Sequence, residues 1–146
     1  MVPEQMWTVP RYFRHDQLPT KVIPGADGGE PVVWRFDGAT GGWQVDDGAL
    51  ADLSGNSRAD SFQLDRDRFI QLTESFRERY RLRVEGPIAA LYETVASIRE
   101  QVESEGRTIT AAEQALIRGI RRKTYAMFER ELAAAGDPGA DPSPDS

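Results

Sequence analysis

The hydrophobic period of this chain changes once, at Asp65, from two before it to between three and four after it. A period of two belongs to strands and one near 3.6 to helices, so a single chain cannot carry both patterns in one element. The order of the two halves predicts an α+β fold: a small antiparallel β-unit followed by three helices, the last two an antiparallel helical hairpin. With 146 residues, 39% of them apolar, there is enough material for a domain-sized core.

Before Asp65 the clearest strand is Val32 to Asp37, where Val32, Trp34 and Phe36 alternate with Val33, Arg35 and Asp37. Asp37-Gly38-Ala39-Thr40-Gly41-Gly42 follows, rich in residues that tolerate positive φ, and Trp43 and Val45 resume the alternation. Residues 32–37 and 42–45 therefore read as a hairpin. Lys21-Val22-Ile23, closed by Pro24-Gly25, is a third strand candidate, and Arg11 to His15 a fourth. Asp46 can cap a short helical turn over 47–53. All three tryptophans (Trp7, Trp34, Trp43) lie in this part, so residues 1–60 read as a β-rich unit with an aromatic core. The same aromatics would suit a groove for a partner peptide.

After Asp65, Phe69, Leu72, Phe76 and Tyr80 recur at helical spacing, with Asp65 as the cap, and residues 61–86 read as a helix packing on the β-unit. Arg77, Arg79, Arg81 and Arg83 alternate, so 77–85 reads equally as helical or extended. Gly86-Pro87 starts a second helix, whose Ile88, Leu91, Val95, Ile98 and Val102 form a coiled-coil-like heptad seam over two repeats. Thr110-x-x-Glu113 is a capping box opening a third helix, with Leu116, Ile117, Ile120, Met127, Phe128 and Leu132 on its apolar face. Residues 87–135 thus form the hairpin, while Gly136 to Ser146 (Asp, Pro, Ser, Gly) is expected to be a disordered acidic tail. The seam is closed either by the first helix, as a three-helix bundle, or by a second copy, as a homodimer through Ile88, Leu91, Val95, Ile98 and Val102.

Chemistry is limited by what is missing. There is no cysteine and one histidine, so disulfides, thiolate metal sites, thiol nucleophiles and histidine pairs drop out. His15, between Arg14 and Asp16, reads as a surface side chain. The glycine clusters at 25–29 and 38–42 lack the lysine and following helix of a phosphate-binding loop. Asp46-Asp47 and Asp65-x-Asp67 are explained by helix capping. No catalytic, cofactor-binding or metal residues are assigned, and the chain is expected not to be an enzyme.

The formal charge is −6, unevenly spread: residues 107–123 carry +4 between acidic neighbours. Arg118, Arg121, Arg122 and Lys123, with Tyr125 beside them, are the candidate contact for an acidic partner or a phosphate backbone. Tyr125-x-x-x-Glu129 resembles the general secretion signal of bacterial type VII secretion substrates, which pair it with Trp-x-Gly in the inter-helix turn. Here that turn reads Glu105-Gly106-Arg107, and Tyr12-x-x-x-Asp16 has the same form as the tyrosine motif. The only lysines are Lys21 and Lys123, and this arginine bias points to a high-GC bacterial or phage genome.

There is no apolar run long enough to span a membrane, and Met1 to Asp16 has no basic–apolar leader, so a cytoplasmic location is expected. The reading that follows is a non-enzymatic protein–protein interaction protein: an accessory, adaptor or immunity-type subunit. It would bind another protein of unknown identity through the helical hairpin or through the β-unit, with Trp34, Trp43, Arg118, Arg121, Arg122 and Tyr125 as candidate contacts. The alternatives are a DNA-binding regulator using helix 118–123 and a homo-oligomeric assembly protein.

Overall fold

The structure, a computed structural model, describes residues 10–25, 29–48, 61–80 and 85–144. Five strands form one antiparallel sheet: β1 (Arg11–His15), β2 (Leu18–Ile23), β3 (Val32–Phe36), β4 (Trp43–Val45) and β5 (Ser61–Leu64), in spatial order β4-β3-β2-β1-β5. Three helices follow: α1 (Arg66–Tyr80), α2 (Pro87–Ser104) and α3 (Ala111–Ala134). The α+β order predicted from the change of period is what the chain forms. β5 was not legible, because Ser61-Phe62-Gln63-Leu64 is too short for a period and lies in the stretch read as helical. The helical turn read at 47–53 lies mostly outside the described residues.

Local signals set most boundaries. Asp16 and Gln17 join β1 to β2 with φ of 49° and 73°, the left-handed pair that a two-residue hairpin of the right twist requires. The β3–β4 loop closes with the Asp37 N–H donating to Gly42 O at 2.9 Å. The Asp65 carboxylate accepts the Arg68 N–H at 2.7 Å and caps α1. At α3, Thr110 Oγ1 accepts the Glu113 N–H at 3.1 Å while Glu113 Oε1 accepts the Thr110 N–H at 3.0 Å, so the capping box forms in full. Residues 77–80 are helical; 81–84 lie outside the described residues.

Opposite partners in an antiparallel ladder share a face, so Leu64, Tyr12, Lys21, Trp34 and Val45 form one line across the sheet. That face meets the helices: Tyr12 and Trp43 both pack on Phe69, and Phe36 packs on Phe76. Trp34, Phe36, Trp43, Phe69, Ile70, Phe76 and Tyr125 form the main cluster. The other face is covered as well, with Phe13, Thr20, Val22 and Val33 all buried. Val33 is therefore as interior as Trp34, and the alternation read for β3 holds only at Arg35, which is part-exposed on the Val33 face.

α1 and α2 both pack on α3. In the seam, Ile88 and Val95 are buried within a single chain, Ile88 in a cluster with Tyr92 and Phe128, while Leu91, Ile98 and Val102 are half-buried. Leu116, read as part of the α3 core face, is 53% exposed, one position off the stripe led by buried Ile117. Among the described residues no helix is long and apolar enough to cross a membrane.

Residues 136–144 correct the reading of 136–146 as a disordered tail. α3 ends in a Schellman turn, with the Gly136 N–H donating to Ala133 O and the Asp137 N–H to Leu132 O, and Gly136 sits at φ 90°. The chain then turns back and lies against Trp34, Trp43 and Tyr125. The composition is that of a solvated tail, but these residues are held by hydrogen bonds, with Gly139 against the two indoles and Ala140 the one apolar side chain they bury.

Candidate functional site

The most unusual feature of the interior is charge. Glu74, Arg77 and Glu129 are each wholly buried, and Lys21 is 2% exposed. An isolated charge in such a place would lose its hydration and be neutralised, so these groups persist only by satisfying one another. Two carboxylates and two cations balance. Arg77 sits at the centre: its Nη1 donates to Glu74 Oε2 at 2.7 Å and its Nη2 to Glu129 Oε2 at 2.5 Å. Its Nε and Nη2 also donate to Gly41 O, tying the β3–β4 loop to α1, and the guanidinium lies 4.0 Å over the Phe128 ring.

Each carboxylate is saturated from outside the ion pair. Glu74 Oε1 accepts from Tyr92 Oη at 2.8 Å and from Thr124 Oγ1 at 2.6 Å, so it joins all three helices. Glu129 accepts the Trp43 indole N–H at 3.1 Å and the Asp141 backbone N–H at 2.8 Å, with Lys21 Nζ 3.7 Å away. Lys21 in turn stands 4.2 Å over the Trp43 ring. Burial pushes the Glu74 carboxyl above its ordinary range and the Lys21 ammonium below its own, in each case against the pull of the opposite charge beside it. Burial also raises the Tyr92 and Tyr125 hydroxyls, assisted by Glu74 and Glu129 respectively.

The candidate contacts read from sequence do not converge on one exposed surface. Trp34 and Trp43 are buried in the main cluster, and Tyr125 is 1% exposed. Arg121 forms a two-pronged pair with Glu78 of α1, with bonds of 3.0 and 2.9 Å. Arg122 pairs with Asp67, also of α1, and that guanidinium holds the Asp67 carboxyl low. The basic cluster of α3 is thus partnered in part by acids of α1. Arg118 alone of the three arginines is exposed without being held in such a pair. Arg66, Arg122, Lys123 and Arg130 border an open groove of about 740 Å³ on this side.

Tyr125 and Glu129, the pair resembling a secretion signal, are both interior. His15, read as a surface side chain, is 3% exposed, with Nδ1 2.5 Å from Ser61 Oγ across the β1–β5 ladder. Sequence reasoning missed Lys21, Glu74, Arg77 and Glu129. The available hint was their position: Glu74 and Arg77 fall on the buried stripe between Phe69, Thr73 and Phe76, where a solvated charge has no place.

The second feature is a trough. α1 and α2 diverge from their shared contact with α3, meeting through the Tyr92–Glu74 hydrogen bond, and leave an open cleft of about 750 Å³. Ala89, Tyr92, Val95 and Ala96 line it together with the charged Glu78, Arg79, Glu93, Arg99 and Glu100. Among the described residues, no three His, Cys, Asp or Glu side chains converge as metal ligands. Comparison of the chain with protein-family models, with curated proteins and with solved structures found no match.

Proposed function

We propose that this protein is a non-enzymatic, cytoplasmic interaction module that receives an amphipathic helix of a partner protein between α1 and α2. The observation that carries the reading is the trough: two helices that each pack on a third, leaving a cleft lined by small, apolar and aromatic residues and by charges of both signs. That pattern suits a helix laid into a groove, apolar stripe down and charged flanks outward. Residues 89–100 run for about 16 Å at helical rise, room for three turns of a partner. The buried carboxylates support a structural role, since their oxygens are taken up by donors.

Ser97→Arg, at an exposed position lining the trough, tests this. A stoichiometric partner recovered from the native host by the parent chain should fall at least tenfold with the variant, at unchanged circular dichroism. Undiminished recovery would overturn the trough as the docking site. The alternative, a DNA-binding regulator using 118–123, requires salt-sensitive duplex binding lost in Arg118→Ala/Arg122→Ala. The Arg121–Glu78 and Arg122–Asp67 pairs weigh against it, because both cations are already engaged.

A further inference from the structure

We propose that Trp34, Trp43 and the buried Glu129 form a second recognition site, for a peptide with Asp, Gly and Asp at alternate positions. The chain fills this site in cis with Asp137-Pro138-Gly139-Ala140-Asp141. It is separate from the trough and independent of that reading.

The seated segment shows what the site selects. The Asp137 carboxylate accepts the Trp43 backbone N–H at 3.2 Å with one oxygen and the Gly139 N–H at 2.8 Å with the other. Gly139 lies against both indoles: a Cβ there would stand 2.6 Å from Trp43 Cβ and 2.7 Å from Trp34 Cε3, so no side chain fits. The Asp141 backbone N–H donates to Glu129 Oε1 at 2.8 Å, and its carboxylate takes Arg66 Nη2 at 3.0 Å and Tyr125 Oη at 3.3 Å. Arg66 also donates to Pro144 O at 3.2 Å. The site thus reads two carboxylates, one backbone N–H and the absence of a side chain between them.

The segment is also built to leave. Ala140 is the one apolar side chain it buries, so hydrogen bonds must offset the entropy of ordering it. It hangs from Gly136, at φ 90°, directly after the helix end. When it lifts, Glu129 retains the Trp43 indole, Arg77 and Lys21, so the interior charge stays compensated. In cis the segment presents itself at an effective concentration of about millimolar, so a second peptide enters only where the resident one is weakened.

Two measurements on the full-length chain decide this. By hydrogen exchange, the amides of 139–143 should exchange at least 100-fold faster than those of 125–128 in α3. Equal rates would make the segment part of the cooperative core and overturn the proposal. The second uses a fluorescent peptide of residues 135–146 as the probe. Asp137→Ala, which removes an anchor without crowding the core, and Gly139→Leu should each bind it at least tenfold more tightly than the parent chain does. The same peptide carrying G139L should bind none of the three. A folded Asp137→Ala chain with no gain in affinity would overturn the proposal.

Discussion

Arg77 occupies a position where a guanidinium does what an ammonium would not. Its planar fork reaches Glu74, Glu129 and the Gly41 carbonyl at once, and its face rests on Phe128. Leaving any one of these buried charges unpartnered would cost about 3–5 kcal/mol, so the four charges behave as one unit. Glu74 is the member whose titration shows in stability. Its folded-state carboxyl is raised above the ordinary 4.5 by burial, so the folded state holds that proton to higher pH than the unfolded chain does. Its contribution is fully present below about pH 4.5 and is lost as pH rises through the folded value. Glu74→Gln should therefore gain stability relative to the parent as pH climbs from 4.5, and the gain should level off above the folded pKa. Urea melts at stepped pH check this; a difference that shrinks over that range would contradict it.

At the scale of elements, helix ends are well specified and one helix interior is not. α2 begins at Gly86-Pro87 and ends before Gly106 at φ 61°, and α3 opens on a complete capping box. Gly119, by contrast, sits inside α3, and a methyl group added there would meet nothing within 4 Å. It is paying the backbone entropy of glycine with no turn or close contact to require it. Gly119→Ala should raise stability by about 1 kcal/mol, measured as a shift of the urea midpoint at constant slope. The β1–β2 turn is different: Asp16 and Gln17 take positive φ because the hairpin's twist demands it.

For the whole molecule, the deciding contact is α3, which both other helices use as their common wall. Val95, in the middle of the heptad seam, is 1% exposed in the single chain. Val95→Asp should unfold the domain, seen as loss of helical circular dichroism at 25 °C. A variant that stayed folded but moved from dimer to monomer on a sizing column would instead place the seam between two copies. The acidic excess of the chain fits the same picture. Much of the +4 on 107–123 is spent on partners within the fold: Arg107 on Glu105 and Glu113, Arg121 on Glu78, Arg122 on Asp67.

Local rules made the fold class legible. The strand at Val32–Phe36, the caps at Asp65 and Thr110 and the Gly86-Pro87 break each depend on residues within a few positions of one another. β5 escaped because four residues give no period, and 136–144 escaped because its hold on Trp43 and Arg66 reaches back 94 and 75 positions. The interior charges belong with those misses. Lys21 and Glu129 look like surface residues in a local window, and the place of Glu74 and Arg77 on the buried stripe of α1 hints at burial without naming a partner. Only when the sheet, α1 and α3 close on one another do 108 positions of sequence collapse to a 3.7 Å contact between Lys21 and Glu129. Periodicity and capping are short-range and so can be read along the chain, whereas the pairing of a buried charge depends on which distant partner the packing delivers.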